Sequence, residues 1–296
     1  MRTTTYRVAA LAAATALALA ACGDNGNGDG DSNGDSTAEN GAAAEGDKPF
    51  GDTITIGTKI DQPGTGILIE GEYKGMDVDV AKEIAERLGY SEDDITWQES
   101  PTPQREDMLV NGTVDMIAAT YSITDERKQR VQYAGPYFVA GQDLLVKNDS
   151  DITGPEDLDG KSLCSVAGST PAERVAEEYS NLDIDLSTYD TYTLCMEALA
   201  AGRVDALTTD DVILAGYAAQ DQWAGQFKVT GNTFSEELFG IGLNQDSEAC
   251  EAINDIITEM WDDGTMEDII SENLGPADYE ASDANPPSPG GHCAGD

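Results

Sequence analysis

Basic residues are scarce in this sequence. Lysine and arginine together number 16 against 57 aspartates and glutamates, which gives a net charge of −41 at pH 7. A chain this acidic repels nucleic acid and anionic lipid headgroups, so neither is expected as a partner. Because the acids are spread along the whole sequence, they indicate a surface adapted to saline or alkaline surroundings.

Histidine is nearly absent, since only His292 occurs, in a tail rich in proline and glycine. The sequence also contains no Gly-x-Ser-x-Gly nucleophile elbow, no phosphate-binding glycine loop and no Cys-x-x-Cys pair. These absences argue against hydrolytic, nucleotide-dependent and zinc-dependent activities. They predict a protein that is not an enzyme and has no cofactor or metal.

Long hydrophobic runs are missing except at the N-terminus. Residues 1–21 carry two arginines before an apolar run, which predicts a secretory signal peptide too short for a membrane span. The Leu-Ala-Ala-Cys that ends at Cys22 resembles the lipobox of bacterial lipoproteins and implies a lipid on the Cys22 sulfur. Residues 22–49 contain no large apolar side chain and predict a disordered linker. The alternative is a secreted protein in which Cys22 has no such role.

Cysteine is sparse, but its number is informative. After Cys22 the sequence has four cysteines: Cys164, Cys195, Cys250 and Cys293. An even number in an oxidising compartment predicts two disulfides, for which three pairings are possible.

Strand and helix patterns alternate between residues 50 and 276. Residues 53–56 alternate like a strand, and residues 80–88 place their apolar side chains on one helical face. Residues 104–111 predict a second helix that Gly112 ends. This rhythm predicts an α/β fold with parallel strands.

A weak internal repeat aligns residues 108–120 with residues 198–210. The identical pairs are Leu109/Leu199, Gly112/Gly202, Val114/Val204 and Asp115/Asp205. The repeat predicts two similar lobes, although a helix–glycine–strand connection of this kind also arises by chance. The first copy leads to Ser122 and the second ends at Asp210, so a donor cluster and a carboxylate follow equivalent strands.

The segment that follows the first copy predicts an anion-binding site. Ser122 and Thr124 are of helix-capping type, and Arg127 lies beside the expected helix start. Free backbone N–H groups and a guanidinium together suit a carboxylate. The alternative is a surface helix start in which Arg127 forms an ion pair.

A second helix start is predicted at Thr170, where residues 170–173 fit a capping box with Pro171 at the first helical position. Ligands of open α/β sheets bind beyond the carboxyl ends of the strands, where both helix starts and Asp210 are expected. A purely structural role is the alternative for each helix start.

Several stretches together resemble the bacterial extracellular solute-binding proteins of the polar amino-acid family, the receptor components of ABC importers. The resemblance covers residues 50–275 and is greatest to actinobacterial glutamate-binding members. The stretches that carry it are Lys59-Ile-Asp-Gln-Pro-Gly, Gly75-Met-Asp-Val-Asp-Val-Ala, Ala118-Ala-Thr-Tyr-Ser-Ile-Thr-Asp-Glu-Arg-Lys, Ala134-Gly-Pro-Tyr-Phe-Val-Ala-Gly-Gln-Asp and Gly202-Arg-Val-Asp-Ala-Leu-Thr-Thr-Asp-Asp.

The resemblance implies a two-lobed clamp of type II, each lobe a mixed, mainly parallel sheet flanked by helices. The first lobe is discontinuous (residues 50–140 and 240–276), the second is inserted (residues 141–239), and residues 277–296 form a C-terminal tail. Under this division the pairing Cys164–Cys195 and Cys250–Cys293 is preferred, because each bond then joins segments of one lobe or its tail.

The resemblance also implies where the ligand is held. An arginine like Arg127, a hydroxyl like Ser122 and the helix start at Thr170 bind the α-carboxylate, and an acid like Asp210 binds the α-ammonium. Lys59 resembles the position that faces the ligand side chain, where a cation favours glutamate; the alternative is that Lys59 points to solvent. Tyr192 and Arg105 are lesser side-chain candidates. The complete set of candidate binding residues is Arg127, Ser122, Asp210, Thr170, Lys59, Ala119, Thr120, Ser169 and Tyr192.

The predicted function is a lipid-anchored receptor on the extracytoplasmic face of a bacterial membrane. A monomer is expected to bind glutamate, with aspartate or glutamine next, and to deliver it to a membrane permease. Two alternatives share the fold: an enzyme such as a cyclohexadienyl dehydratase, and a sensory amino-acid-binding module.

Overall fold

Two five-stranded sheets with flanking helices form the body of the protein. The computed structural model describes residues 48–295. The predicted signal peptide, Cys22 and nearly all of the predicted linker lie outside the described residues.

Thirteen strands and seven α-helices occur in this part of the chain. The strands are β1 (Ile54–Thr58), β2 (Asp61–Gln62), β3 (Gly66–Ile69), β4 (Glu72–Lys74), β5 (Ile95–Glu99), β6 (Met116–Ile117), β7 (Val131–Ala140), β8 (Gln142–Lys147), β9 (Ser162–Val166), β10 (Asp185–Tyr189), β11 (Ala206–Asp210), β12 (Phe227–Val229) and β13 (Glu237–Asn244). The helices are α1 (Met76–Arg87), α2 (Arg105–Val110), α3 (Thr170–Glu178), α4 (Tyr192–Ala200), α5 (Asp211–Ala218), α6 (Cys250–Asp262) and α7 (Thr265–Leu274).

The two large sheets share one topology. The first has the order β5-β1-β6-β13-β7 and the second the order β10-β9-β11-β8-β12. In each sheet four strands point the same way, and only the fourth in the order, β13 or β8, is antiparallel to its neighbours. A small antiparallel sheet, β2-β3-β4, is attached beside α1. The predicted α/β architecture of two similar lobes is confirmed.

The chain crosses between the sheets twice. It leaves β7 of the first sheet, passes through Gly141 and enters β8 of the second, and it returns through residues 230–236 to β13. The antiparallel strand of each sheet is therefore the one that the chain enters directly after a crossing. Both crossings lie side by side, since Gln142 N and Phe234 N donate to Ser235 Oγ and to the Gln142 carbonyl, respectively, at 2.9 Å each.

The sequence repeat corresponds to an equivalent contact in the two lobes. Asp115 Oδ2 accepts from the backbone N of Thr55 in β1 at 2.7 Å, and Asp205 Oδ2 accepts from the backbone N of Ser162 in β9 at 2.9 Å. In both cases the aspartate's own N–H donates back to the carbonyl of the same strand residue at 2.8 Å. The two aspartates thus join each repeat to the start of the second strand in the order of its sheet, β1 or β9.

The segment after Ser122 corrects one prediction. Instead of an α-helix, a single 3₁₀ turn forms at Arg127–Gln129, and the chain then enters β7. Thr124 Oγ1 accepts from the Arg127 backbone N at 3.2 Å, so Thr124 caps a turn rather than a helix. Any attraction for an anion at this point comes from the guanidinium of Arg127 itself.

The C-terminal tail packs along the free edge of β7. The side chain of Asn285 pairs with both backbone groups of Val139 at 2.9 Å, and Gly290 N donates to the Gly135 carbonyl at 2.8 Å. The disulfide Cys250–Cys293 ties the tail to α6, and Cys164–Cys195 links β9 to α4. These are the two bonds preferred from the sequence. Among the helices of residues 48–295, none has the length and apolar character of a membrane span.

Candidate functional site

A narrow cavity lies between the lobes, at the carboxyl ends of β9 and β11 on one side and beyond β6 on the other. Its empty space is about 260 Å³, part of it open to solvent, and only about 10 Å³ of it can be occupied by the centre of a water-sized sphere, so the cavity is almost filled by its own side chains. Its lining consists of Gln62, Thr102, Arg105, Thr120, Ser122, Arg127, Ser169, Thr170, Pro171, Tyr192 and Asp210. Nearly all of these side chains are polar, and the set includes two guanidiniums and one carboxylate.

Direct contacts across this cavity show that the lobes are closed on each other. Ser122 Oγ lies 3.2 Å from Thr170 Oγ1 in the other lobe. Arg127 Nη2 donates to the carbonyl of Gly168 at 3.1 Å, again between lobes. A third contact, at another rim, is the donation from Tyr192 N to Asp61 Oδ2 at 2.8 Å.

The guanidinium of Arg127 is held by acceptors on several sides. Nη1 donates to the Ser122 carbonyl at 2.8 Å, and Nε lies 3.4 Å from Glu106 Oε1. The guanidinium carbon is also 5.1 Å from the centroid of the Tyr121 ring. Arg127 is therefore oriented before any ligand contact, and its remaining donor capacity faces the cavity.

Thr170 faces the cavity because Ser169 takes the capping role predicted for Thr170. Ser169 Oγ accepts from Ala172 N at 3.3 Å, so the N-cap of α3 is one residue earlier than expected and Thr170 is already helical. The Thr170 hydroxyl is then available for Ser122 and for Glu237 Oε2, which lies 3.1 Å away. In the first turn of α3, Pro171 has no N–H, and the N–H groups of Ala172 and Glu173 donate to the hydroxyl and the carbonyl of Ser169.

Asp210 supplies the acidic group of the cavity. It ends β11, its side chain is buried, and Oδ1 has no hydrogen-bond partner among residues 48–295. Burial, followed by the negative charges of Glu237 and Asp211, raises the pKa of the Asp210 carboxyl well above its usual range. A buried acceptor in this condition favours a cationic donor strongly, because a cation offsets both the desolvation and the repulsion.

Thr120 has an uncommon backbone conformation at the edge of the cavity. Its φ of 45° is in the left-handed region, which side chains with a Cβ rarely adopt. The backbone N donates to Asp77 Oδ2 at 2.8 Å, and the hydroxyl lies 2.7 Å from the Ala119 carbonyl and 3.3 Å from Gln62 Oε1. Asp77 thus fixes the direction in which the backbone presents Thr120.

Two buried cations lie close to this site in different surroundings. Lys59 Nζ is 3.2 Å from Asp61 Oδ1, and Lys59 is not among the residues that line the cavity. Arg105, at the start of α2, lines the cavity and has no hydrogen-bond or ion-pair partner within residues 48–295. Burial lowers the pKa of both side chains, and for Arg105 the neighbouring Arg127 lowers it further.

The structure brings most of the candidate residues from the sequence into one cavity. Those that line it are Arg127, Ser122, Asp210, Thr170, Thr120, Ser169 and Tyr192. Lys59 and Ala119 lie outside the lining, although the Ala119 carbonyl is in contact with Thr120.

Four lining residues were overlooked or given little weight from the sequence: Gln62, Thr102, Arg105 and Pro171. Thr102 and Arg105 directly follow β5, at the same carboxyl edge as the other candidates, so the strand-end rule applied to β5 identifies them. Gln62 is part of the stretch after β1 that carries the family resemblance, and Pro171 follows Thr170 in the first turn of α3.

The chemistry of the lining is that of binding. The hydroxyls of Ser122, Ser169 and Thr170 contact one another, a carbonyl or a carboxylate, and no histidine is among the lining residues. Across residues 48–295, histidine, cysteine and acidic side chains form no group of three or more that could hold a metal ion. The two guanidiniums and the single carboxylate suit a small molecule that carries both an anionic and a cationic group.

Comparison with known proteins assigns the family. Residues 54–276 match the bacterial extracellular solute-binding proteins, family 3. The glutamate-binding protein GluB of Corynebacterium glutamicum is 46% identical over 236 residues, which cover 75% of this chain and 79% of that protein. The ABC transporter glutamine-binding protein GlnH of Bacillus subtilis is 34% identical over 245 residues, 81% of this chain and 88% of the relative.

The fold is also that of solved amino-acid receptors. A structure of an ancestral arginine-binding protein bound to arginine superimposes with a TM-score of 0.71 at 33% identity, covering 76% of this chain and all of that one (100%). Sequence, topology and the polar cavity between two lobes therefore agree, and the chain belongs to the bacterial extracellular solute-binding proteins, family 3.

Proposed function

We propose that this protein is the lipid-anchored substrate-binding component of an ABC importer, that it binds glutamate between its closing lobes, and that it delivers the amino acid to a membrane permease. The main support for this proposal is that Arg127 and Asp210 line the same cavity, and that the buried Oδ1 of Asp210 has no hydrogen-bond partner among residues 48–295. A free amino acid carries the matching pair of charges on one carbon atom.

The α-carboxylate is assigned to the donor side of the cavity. Arg127 projects from the first lobe, and Thr170 with the first turn of α3 projects from the second. A carboxylate between them would accept hydrogen bonds from both lobes at once, and such charge-assisted bonds are strong where water is excluded. The α-ammonium then reaches Asp210 and neutralises the buried carboxylate.

Closure of the lobes follows from this division of contacts. Only the closed arrangement contacts the ligand from both sides, so ligand shifts the population from open to closed forms. The closed shape is the one that we expect the permease to bind. The names of the Corynebacterium and Bacillus relatives support an acidic amino acid or its amide as the ligand.

Calorimetry with the mature chain from residue 22, carrying Cys22→Ser so that no lipid is attached, tests this function. We expect one glutamate to bind per chain, more tightly than aspartate, glutamine or arginine. Arg127→Ala should lower the affinity for every amino acid by at least about 100-fold, since breaking a buried ion pair costs about 3–5 kcal/mol. The surface variant Arg203→Ala is the matched control and should bind as the parent does.

A parent chain that binds none of these amino acids would refute the proposal, and so would full binding by the Arg127 variant. The lipid anchor has its own readout in the cell. The unsubstituted chain should fractionate with the membrane, whereas the Cys22→Ser chain should be released from it.

A further inference from the structure

Arg105 is a buried cation that forms no ion pair with any acid among residues 48–295. Only 3% of its surface is exposed, and its Nε is buried with no hydrogen-bond acceptor among residues 48–295. Its one close partner is the ring of Tyr121, whose centroid lies 5.0 Å from the guanidinium carbon. A cation–π contact offsets only part of the cost of removing such a charge from water.

The neighbouring acid does not serve Arg105. Glu106 accepts from the Tyr121 hydroxyl at 2.7 Å and lies 3.4 Å from Arg127 Nε, so its carboxylate is committed elsewhere. Arg127 adds to the charge imbalance, because its repulsion and the burial of Arg105 both lower the pKa of the Arg105 side chain. Arg105 itself is part of the cavity lining.

Lys59, the other buried cation, has an ion-pair partner in Asp61. Its ammonium is 3.2 Å from Asp61 Oδ1, and Oδ2 of the same carboxylate accepts from the backbone N of Tyr192 in the second lobe. The Asp61 carbonyl also accepts from the hydroxyl of Tyr217. Lys59 therefore holds Asp61 in place at a contact between the lobes, and it does not line the cavity.

Arg105 is the charged group of the lining that has no ion-pair partner among residues 48–295. Arg127 already has Glu106 beside it, whereas no carboxylate contacts Arg105. A zwitterion with an uncharged side chain, such as glutamine, brings its two charges to Arg127 and Asp210 and leaves Arg105 unpaired. A basic side chain would add a further cation next to it. An amino acid with an acidic side chain supplies the acceptor that Arg105 lacks.

We propose that Arg105 binds the side-chain carboxylate of the ligand and thereby selects dicarboxylic amino acids, while Lys59 is a positioning residue that acts through Asp61. This inference rests on the proposed amino-acid-binding function and names the residue that sets its specificity. The planar guanidinium offers two parallel N–H donors to a carboxylate, which a side-chain amide matches with only one acceptor.

The test compares glutamate and glutamine binding by calorimetry in the mature Cys22→Ser chain and in two variants of it. In Arg105→Gln the affinity for glutamate should fall by at least about 100-fold. The variant should bind glutamine at least as tightly as glutamate, because it no longer leaves a buried cation unpaired when the ligand side chain is an amide. Lys59→Gln is the matched control. This variant should lower the affinities for glutamate and glutamine by the same factor and leave the ratio of the two affinities within about threefold of the parent, since Lys59 acts through Asp61.

Several results would overturn the proposal. One is an equal loss of affinity for glutamate and glutamine in Arg105→Gln, and another is an unchanged preference for glutamate in that variant. The third is a change in the ratio of the two affinities in Lys59→Gln. If Arg105→Gln does not fold, Arg105→Lys decides. It keeps the charge but loses the paired donors, so the glutamate preference should fall by about tenfold without inversion, and an undiminished preference would contradict the role of Arg105.

Failure of the specificity proposal is distinguishable from failure of the function. A parent chain that binds no amino acid refutes the function before any variant is measured. A parent that binds glutamate, together with an Arg105→Gln variant that keeps the parental preference, refutes only the assignment of Arg105.

Discussion

At the scale of single residues, Asp77 supports the cavity without lining it. Its carboxylate is buried at the start of α1, where it accepts from the Tyr137 hydroxyl at 2.6 Å and from the Thr120 backbone N at 2.8 Å. Burial raises the pKa of Asp77 to about 7, although both donors act in the opposite direction. The group that holds Thr120 in its left-handed conformation therefore titrates near neutral pH.

Asp77 is predicted to make stability fall as the pH rises toward neutral. In the unfolded chain the carboxyl ionises near its ordinary pKa of 3.8, and in the folded chain near 7. Between these values the folded state binds more protons, so the contribution of Asp77 is greatest below the lower value and is lost as the pH rises through the higher one. The full loss is on the order of 4 kcal/mol.

Denaturant unfolding of the parent and of Asp77→Asn, at several pH values between about 5 and 8, measures this contribution. The free energy of unfolding of the parent minus that of the variant should decrease up to about pH 7 and level off above it. Other titrating groups are common to both proteins and cancel in the difference. A difference independent of pH would show that Asp77 has an ordinary pKa in the folded state.

At the scale of secondary-structure elements, local patterns predicted those segments in which the local signal and the tertiary contacts agree. The apolar face of α1 and the strand β1 are of this kind. The helix expected after Ser122 did not form, because the chain must re-enter the sheet as β7 within a few residues. Capping residues alone cannot reveal such a constraint.

Contacts between residues that are distant along the chain also limited the prediction of the cavity between the lobes. Arg105 lies at the start of the helix predicted for residues 104–111, but its lack of a partner depends on where Glu106 points. That direction is set by Tyr121 and Arg127, which are distant along the chain. The place of Arg105 at a helix start was therefore predictable from the sequence, whereas the pairing of charges was not.

Helix α5 approaches the first lobe so closely that only glycine fits at one position. A Cβ on Gly216 would lie 1.9 Å from the carbonyl oxygen of Pro63, which belongs to the opposite lobe. Because the two groups are on different lobes, opening of the clamp relieves the clash. Gly216→Ala is therefore predicted to favour the open form and to lower the affinity for glutamate by at least about tenfold.

The thermal stability of the unliganded variant should be unchanged or higher, since alanine is favoured over glycine in a helix by about 1 kcal/mol. Calorimetry and melting curves without ligand separate the two effects. Gly275→Ala is the control, because Gly275 has helical backbone angles and no atom within 4 Å of the place where a methyl group would lie, so its affinity should be unaffected. Parental affinity in Gly216→Ala would mean that the lobes close without this contact.

At the scale of the whole molecule, the C-terminal tail adds contacts to both lobes. It covers the edge strand β7, and a disulfide through Cys293 fixes it to α6. Near its start, the Tyr279 hydroxyl donates to Asp211 Oδ2 at 3.1 Å, and Asp211 Oδ1 accepts from Gly141 N at the first crossing. An unpaired strand edge invites association with other chains, so the tail protects the protein while it bridges the crossing.

The charge of the whole chain leads to the last prediction. With a net charge of −41, the acidic side chains repel one another over the folded surface, and the compact state bears more of this repulsion than the extended chain. Salt screens charges more than about 10 Å apart at about 0.1 M and acts over shorter distances as it is raised. The free energy of unfolding should therefore increase by more than about 1 kcal/mol between about 0.05 M and 1 M KCl. Near pH 4, where many carboxylates are protonated, the same change of KCl concentration should increase the free energy of unfolding by less. A free energy of unfolding that does not depend on salt at neutral pH would show that the acidic surface is not adapted to saline surroundings.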